Sequence, residues 1–132
     1  MKPSILIIDT DPTAGQAVRS AVSVLDCEVK GPHPLSELDE ASLILLTPPE
    51  GKLASATVAR IRERFPRTGV IVLTGWGSTT EAVDCLKAGA MDYVERPVTS
   101  DRLAQIVGES LNRLSMLVPA EPPVNGDSSF VL

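Results

Sequence analysis

The residues of this chain that could do chemistry stand at the ends of short apolar runs. Asp9, Thr10 and Asp11 follow Ser4–Ile8, Thr47 follows Leu43–Leu46, Thr74 follows Val70–Leu73, and Arg96 comes just after Tyr93-Val94. Carboxylates suit a hard cation, which takes oxygen ligands. A guanidinium suits a carboxylate, with which it can pair bidentately. Other chemistries are poorly supplied. His33 is the single histidine and sits between Pro32 and Pro34, so neither a histidine metal site nor a Ser-His-Asp triad is expected. Cys27 and Cys85 are the two cysteines and lack metal-type spacing. They are expected as buried free thiols rather than as a disulfide. No phosphate-cradling glycine run follows Ile8, which argues against a nucleotide.

The elements that must position these residues fit a chain of 132 residues, enough for one domain and a tail. Apolar residues at 43% and charged residues at 22% are ordinary for a globular protein. With 12 basic and 17 acidic residues the net charge is −5, which disfavours a nucleic-acid module and attraction to an anionic membrane. The apolar start Ile5–Ile8 ends at Asp9, too short for a signal-peptide core or a membrane span, so a cytoplasmic location is expected.

Ser4–Ile8 reads as a strand buried on both faces. Asp11-Pro12 reads as a helix start, an N-cap carboxylate followed by proline in the first turn, and apolar residues from Ala14 to Leu25 recur at helical spacing. A short strand is expected over Cys27–Lys30, broken by Gly31-Pro32-His33-Pro34. Leu35–Ala41 has room for one or two helical turns with Ser36 as cap, and Leu43–Leu46 reads as a second buried strand. Lys52–Phe65 reads as a helix, Val70–Leu73 as a strand, and Gly75-Trp76-Gly77 as a loop. Ser78 and Glu81 match a capping box for a helix that ends at Gly89. Tyr93-Val94 is a short strand, and Thr99 or Ser100 caps a last helix with Leu103, Ile106, Val107, Leu111 and Leu114 on its apolar face. Residues 1–114 are expected as the domain and 115–132 as a Pro/Gly/Ser-rich tail or linker. Strands and helices that alternate five times predict an α/β fold: an open, five-stranded parallel sheet, doubly wound into a three-layer sandwich. Its functional crevice lies at the carboxyl ends of the strands.

With these motifs in order, residues 4–114 resemble the receiver domain of bacterial two-component response regulators, with a flavodoxin-like (CheY-like) fold. The resemblance rests on Ile-Leu-Ile-Ile-Asp-Thr-Asp-Pro at 5–12, Leu-Ile-Leu-Leu at 43–46 and Val-Ile-Val-Leu-Thr-Gly at 70–75. It also rests on Ala-Gly-Ala-Met-Asp-Tyr-Val at 88–94 followed by Arg96-Pro97. The stretch from Thr74 to Pro97 is most similar to receivers of enhancer-binding transcription activators. The resemblance implies Mg²⁺ held by carboxylates, an acceptor aspartate at the end of the third strand, a Ser/Thr on the fourth strand and a lysine on the fifth.

Asp9, Thr74 and the switch aromatic Tyr93 match that pattern, and three positions depart from it. Thr47 stands where the acceptor aspartate belongs, Thr10 where the second acid belongs, and Arg96 where the lysine belongs. A hydroxyl brings no anionic charge to a metal, and Asp9 with Asp11 offers too few anionic ligands. Asp11 is expected as a helix cap rather than a ligand. A pseudo-receiver is therefore expected: no metal or other cofactor, Mg²⁺ weak or absent, no catalysis, and an Arg96–Asp9 ion pair filling the pocket. Glu50 is read as a solvated loop carboxylate rather than a fixed mimic of phosphate charge. The chain between the second and third strands is short, so the second helix of the family is expected shortened or missing, leaving thin cover near Leu35 and Leu38.

Action through protein partners follows, a histidine kinase or an output domain by resemblance. The family's usual partner and dimer face, its fourth helix, fifth strand and fifth helix, carries here Lys87, Asp92, Tyr93, Glu95 and Arg102. Trp76 is either an interface side chain or a lid over Arg96 and Pro97. Tyr93 is expected partly in the core with its hydroxyl at the surface. Phe130-Val131-Leu132 reads as a disordered end. Two other readings stand beside this one: a working receiver phosphorylated on a non-standard residue, and a small-molecule-binding flavodoxin-like domain.

Overall fold

The computed structural model describes residues 2–48 and 53–117, with side chains as far as Ser115. Five parallel strands form one sheet: β1 (Ser4–Ile8), β2 (Glu28–His33), β3 (Leu43–Leu46), β4 (Gly69–Thr74) and β5 (Asp92–Glu95), in the order β2-β1-β3-β4-β5. The strand order reverses at β1, so the crevice opens between the carboxyl ends of β1 and β3. β1, β3 and β4 are almost wholly apolar because helices cover both of their faces. In register, Ile5 to Ile8 pair with Leu43 to Leu46, and Leu43 to Leu46 with Gly69 to Val72, which brings Asp9, Thr47 and Thr74 to one end.

Four α-helices complete the layers: α1 (Pro12–Val22), α2 (Ala54–Arg64), α3 (Thr79–Lys87) and α4 (Ser100–Leu117). α1 and α4 pack on one sheet face around Ile5, Ile7, Leu45, Ile71, Leu73 and Val107. α2 and α3 pack on the other around Leu6, Ile8, Ile44, Val58, Ile61, Val72 and Cys85. Asp11 caps α1 by accepting the amides of Thr13 and Ala14 at 2.9 and 3.3 Å. Ser78 caps α3 through the amide of Glu81 at 3.0 Å. Gly89 ends α3 at φ +114, and the Gly89 and Ala90 amides return to Leu86 and Cys85 carbonyls, which satisfies two otherwise orphaned acceptors. Thr99, not Ser100, caps α4: its hydroxyl accepts the Arg102 amide at 3.1 Å.

Several boundaries differ from the sequence reading. β2 does not stop at Lys30 but runs through Gly31-Pro32 to His33. The register slips between Leu6 and Ile8, so a bulge absorbs the extra residue of β2. Ser36 caps nothing: the segment after β2 makes only a 3-10 turn, Leu35–Glu37, preceded by Pro34 without a side-chain cap. That turn is all that stands where a shortened second helix was expected. α2 is described from Ala54, with Leu53 before it as N-cap, and Lys52 lies outside the described residues. α4 continues to Leu117, three residues past the expected domain end at 114. Glu50 and the tail segment Phe130-Val131-Leu132 lie outside the described residues. Among the described residues both cysteines are free thiols, Cys27 partly buried and Cys85 buried. No described helix is long and apolar enough to cross a membrane.

Candidate functional site

Asp9 leaves β1 directly into the crevice and is 5% exposed. Its two carboxylate oxygens have different partners. Oδ1 accepts the amide of Asp11 at 2.9 Å, and Oδ2 faces Arg96 Nη2 at 3.3 Å. The same Arg96 nitrogen donates to Thr47 Oγ1 at 3.3 Å. One guanidinium nitrogen thus bridges the ends of β1 and β3, instead of forking onto the carboxylate alone. Arg96 is anchored for this by its own amide, which donates to the Thr74 carbonyl at 2.8 Å. Thr47 is held at the end of β3 by a 2.9 Å bond from its amide to the Ile8 carbonyl.

The remaining residues expected in this pocket divide. Thr74 is buried and its hydroxyl accepts the Trp76 amide at 3.1 Å, so it shapes the loop after β4. Thr10 is exposed, and the exposed Asp11 spends its Oδ1 on the cap of α1. Among the described residues no group of three or more His, Cys, Asp or Glu side chains could hold a metal ion.

A second cluster lies on the rim formed by α3 and β5. Tyr93 is half-buried, as expected, and its hydroxyl donates to Glu81 Oε1. Burial first, and then the hydrogen bond and charge of Glu81, push the phenol's ionisation upward. Gly77 permits this approach: a Cβ there would sit 2.7 Å from the Tyr93 hydroxyl and from Glu95 Cγ. Glu81 is the residue the sequence reading placed only in the cap. The signal that could have found it is its position in the first turn of the helix preceding the Tyr93 strand. Nearby, burial with Glu81 and Asp84 pushes the Cys85 thiol up to about 11.

Trp76 is 89% exposed, which excludes the lid over Arg96 and Pro97. Val83 and Leu86 on α3 are exposed as well. Lys87, Glu95 and Arg102 are exposed as expected of contact residues, Arg102 donating to Gln105 Oε1 at 3.2 Å. Asp92 is half-buried and turns its carboxylate to the Tyr93 amide at 2.8 Å. The crevice residues Asp9, Thr47 and Arg96 therefore meet, whereas Trp76, Lys87 and Arg102 are exposed and make no hydrogen bond or ion pair to them among the described residues.

Comparison with known proteins agrees with this architecture. Residues 55–108 match the family described as the response regulator receiver domain. The response regulator protein PilR of Pseudomonas aeruginosa is 40% identical over 68 residues, 52% of this chain and 15% of that protein. The photosynthetic apparatus regulatory protein RegA of Rhodobacter capsulatus is 34% identical over 73 residues, 53% of this chain and 37% of that protein. The chain thus spans well under two thirds of the length of these relatives. A response regulator from Thermotoga maritima superposes with a TM-score of 0.76 at 25% identity, covering 85% of this chain and 99% of that one. The family match is confined to residues 55–108, and the fold, similar to that of the Thermotoga maritima response regulator, continues through Asp9 and Thr47.

Proposed function

We propose that this domain is a pseudo-receiver: its pocket is closed by Arg96, and it works by protein–protein contact, not aspartyl phosphorylation. The observation that carries this reading is the single Arg96 nitrogen 3.3 Å from both Asp9 Oδ2 and Thr47 Oγ1. Aspartyl phosphorylation needs a carboxylate nucleophile and neutralised charge around the transferring group. Thr47 supplies a hydroxyl, and Asp9, the one buried carboxylate among the described residues, already has an internal cation. The same donor set disfavours Mg²⁺, because Asp9 gives one oxygen to an amide and the other to Arg96. The domain is then no enzyme and needs no cofactor, and its partner is a histidine kinase or an output domain in the cytoplasm. The surface built from α3, β5 and α4 is where contact is expected, with Trp76, Lys87, Tyr93, Glu95 and Arg102 available. A homodimer through that surface is part of the same proposal, and neither nucleic acid nor membrane is a partner.

Incubation with acetyl phosphate and Mg²⁺, followed by intact mass measurement, tests the reading. No phosphate adduct is expected on the natural chain. The triple variant Thr10→Asp, Thr47→Asp, Arg96→Lys is expected to gain a hydroxylamine-labile one. The same labile adduct on the natural chain would overturn the proposal.

A further inference from the structure

The end of α2 concentrates positive charge on an acidic chain. Arg60, Arg62, Arg64 and Arg67 follow one another closely with Glu63 the one acid among them, whereas the net charge of the chain is −5. Arg62 is used within the fold, its Nη1 donating to the Thr68 carbonyl at 2.6 Å. Arg60 and Arg64 stand one turn apart on α2, both exposed. Among the described residues the arginine side chains with hydrogen-bond or ion-pair partners are Arg19, Arg62, Arg96, Arg102 and Arg113, so Arg60 and Arg64 have none. Both line a cavity of about 270 Å³ between α2 and the turn Leu35–Glu37, and the exposed Ser36 lines it from that turn. Leu35, Leu38 and Ile61 make its apolar wall. Thr57 lines it too, but its hydroxyl donates to the Leu53 carbonyl at 3.3 Å. Among the described residues no acidic side chain lines this cavity: Glu37 lies 3.4 Å from His33, and Asp39 and Glu63 stand outside the lining. The Arg64 guanidinium carbon is 5.0 Å from the centroid of the Phe65 ring, a stacking contact that limits its freedom.

We infer that this cavity binds a small phosphate monoester, its oxygens taken by Arg60, Arg64 and Ser36 and its short apolar body laid on Leu35, Leu38 and Ile61. Like charges at this spacing on a helix repel, and an anion held between them removes that cost. The planar guanidinium fork matches phosphate oxygens, and a monoester near neutral pH carries close to the two negative charges that two arginines balance. A carboxylate would leave one of the arginines unmatched. Donors on one wall and aliphatic side chains on the other are the make-up of a small-molecule site. The volume lies just under the roughly 300–1,000 Å³ of sites for drug-sized ligands, so the ligand is compact. This inference does not depend on the state of the Asp9 pocket, which shares no residue with the cavity.

Phenyl phosphate is the probe, titrated into the full ¹⁵N-labelled chain at neutral pH and fixed ionic strength. Saturable amide shifts confined to 35–38 and 57–64 are expected. Inorganic phosphate, which lacks the apolar body, and benzoate, which carries a single charge, are expected to bind more weakly at the same residues. The exposed-site double variant Arg60→Gln, Arg64→Gln should weaken phenyl phosphate about tenfold or more, on the scale of lost charge-assisted hydrogen bonds. Its spectrum away from α2 should match that of the natural chain, which separates lost binding from lost folding. No saturable shifts, shifts centred elsewhere, inorganic phosphate or benzoate binding as tightly as phenyl phosphate, or indifference to the double variant would each overturn the proposal. A phosphoserine peptide flanked by alanine and glycine is the last arm. Tighter binding of that peptide than of phenyl phosphate would assign the phosphate to a partner chain and overturn the free-ligand reading.

Discussion

The two faces of the sheet are built to different standards. On one, α1 and the long α4 cover β1 through β5, and even the outer strand β2 contributes Val29 to the core. On the other, α2 and α3 cover the centre, and the β2 end has only the turn Leu35–Glu37 above it. β2 records the difference residue by residue. Val29 pairs with Ile5 and shares the covered face, whereas Glu28 and Lys30 pair with Ser4 and Leu6 on the thin side and are exposed. A helix can thus be dispensed with when the strand beneath it exchanges apolar for charged residues and two leucines close the remaining gap.

Core truncation should expose the contrast most strongly. Leu45→Ala, in the fully covered layer, is expected to cost about 2–5 kcal/mol in denaturant unfolding. Leu38→Ala, half-buried under the thin cover, should cost about 1 kcal/mol or less, as its site is already open to water. Equal losses would mean that the thin side is as tightly packed as the other. The next test exchanges the characters of β2. Val29→Lys should destabilise by about 1–3 kcal/mol through an unpaired charge against the core. Lys30→Val should stay within about 0.5 kcal/mol, as exposed substitutions do. A marked cost for Lys30→Val would contradict an open face above β2. The last test is titration of the α2/α3 core, whose effect is confined to alkaline pH. The Cys85 thiol goes from its ordinary 9.0 up to about 11 on folding, so the folded state holds its proton longer. Its contribution is fully present below pH 9 and is lost as pH rises through about 11. Cys85→Ala should therefore flatten the alkaline decline seen in unfolding curves at stepped pH.

The fold was legible where burial is two-sided. Continuous aliphatic runs at Ser4–Ile8, Leu43–Leu46 and Val70–Leu73 leave no other reading, and they deliver Asp9, Thr47 and Thr74 to a common end. It was illegible at β2, where Gly31-Pro32 looks like a breaker. A bulge on an outer strand tolerates a missing amide hydrogen, and local sequence carries no sign of a bulge. At the site, Arg96 and Asp9 could be matched because each follows a strand. The Tyr93–Glu81 contact could not, because Glu81 already had a local use in the first turn of α3. Nor could the fate of Trp76, since a loop with a glycine on either side leaves its direction open.

The outer edges of the sheet have one further consequence. β2 carries Pro32, which offers no amide to an incoming strand, and a register slip that bends its rim. β5 is only four residues long and runs straight into Arg96-Pro97. Neither border presents a long, flat row of free donors and acceptors, so a protein with so aliphatic a centre is guarded against polymerising edge to edge.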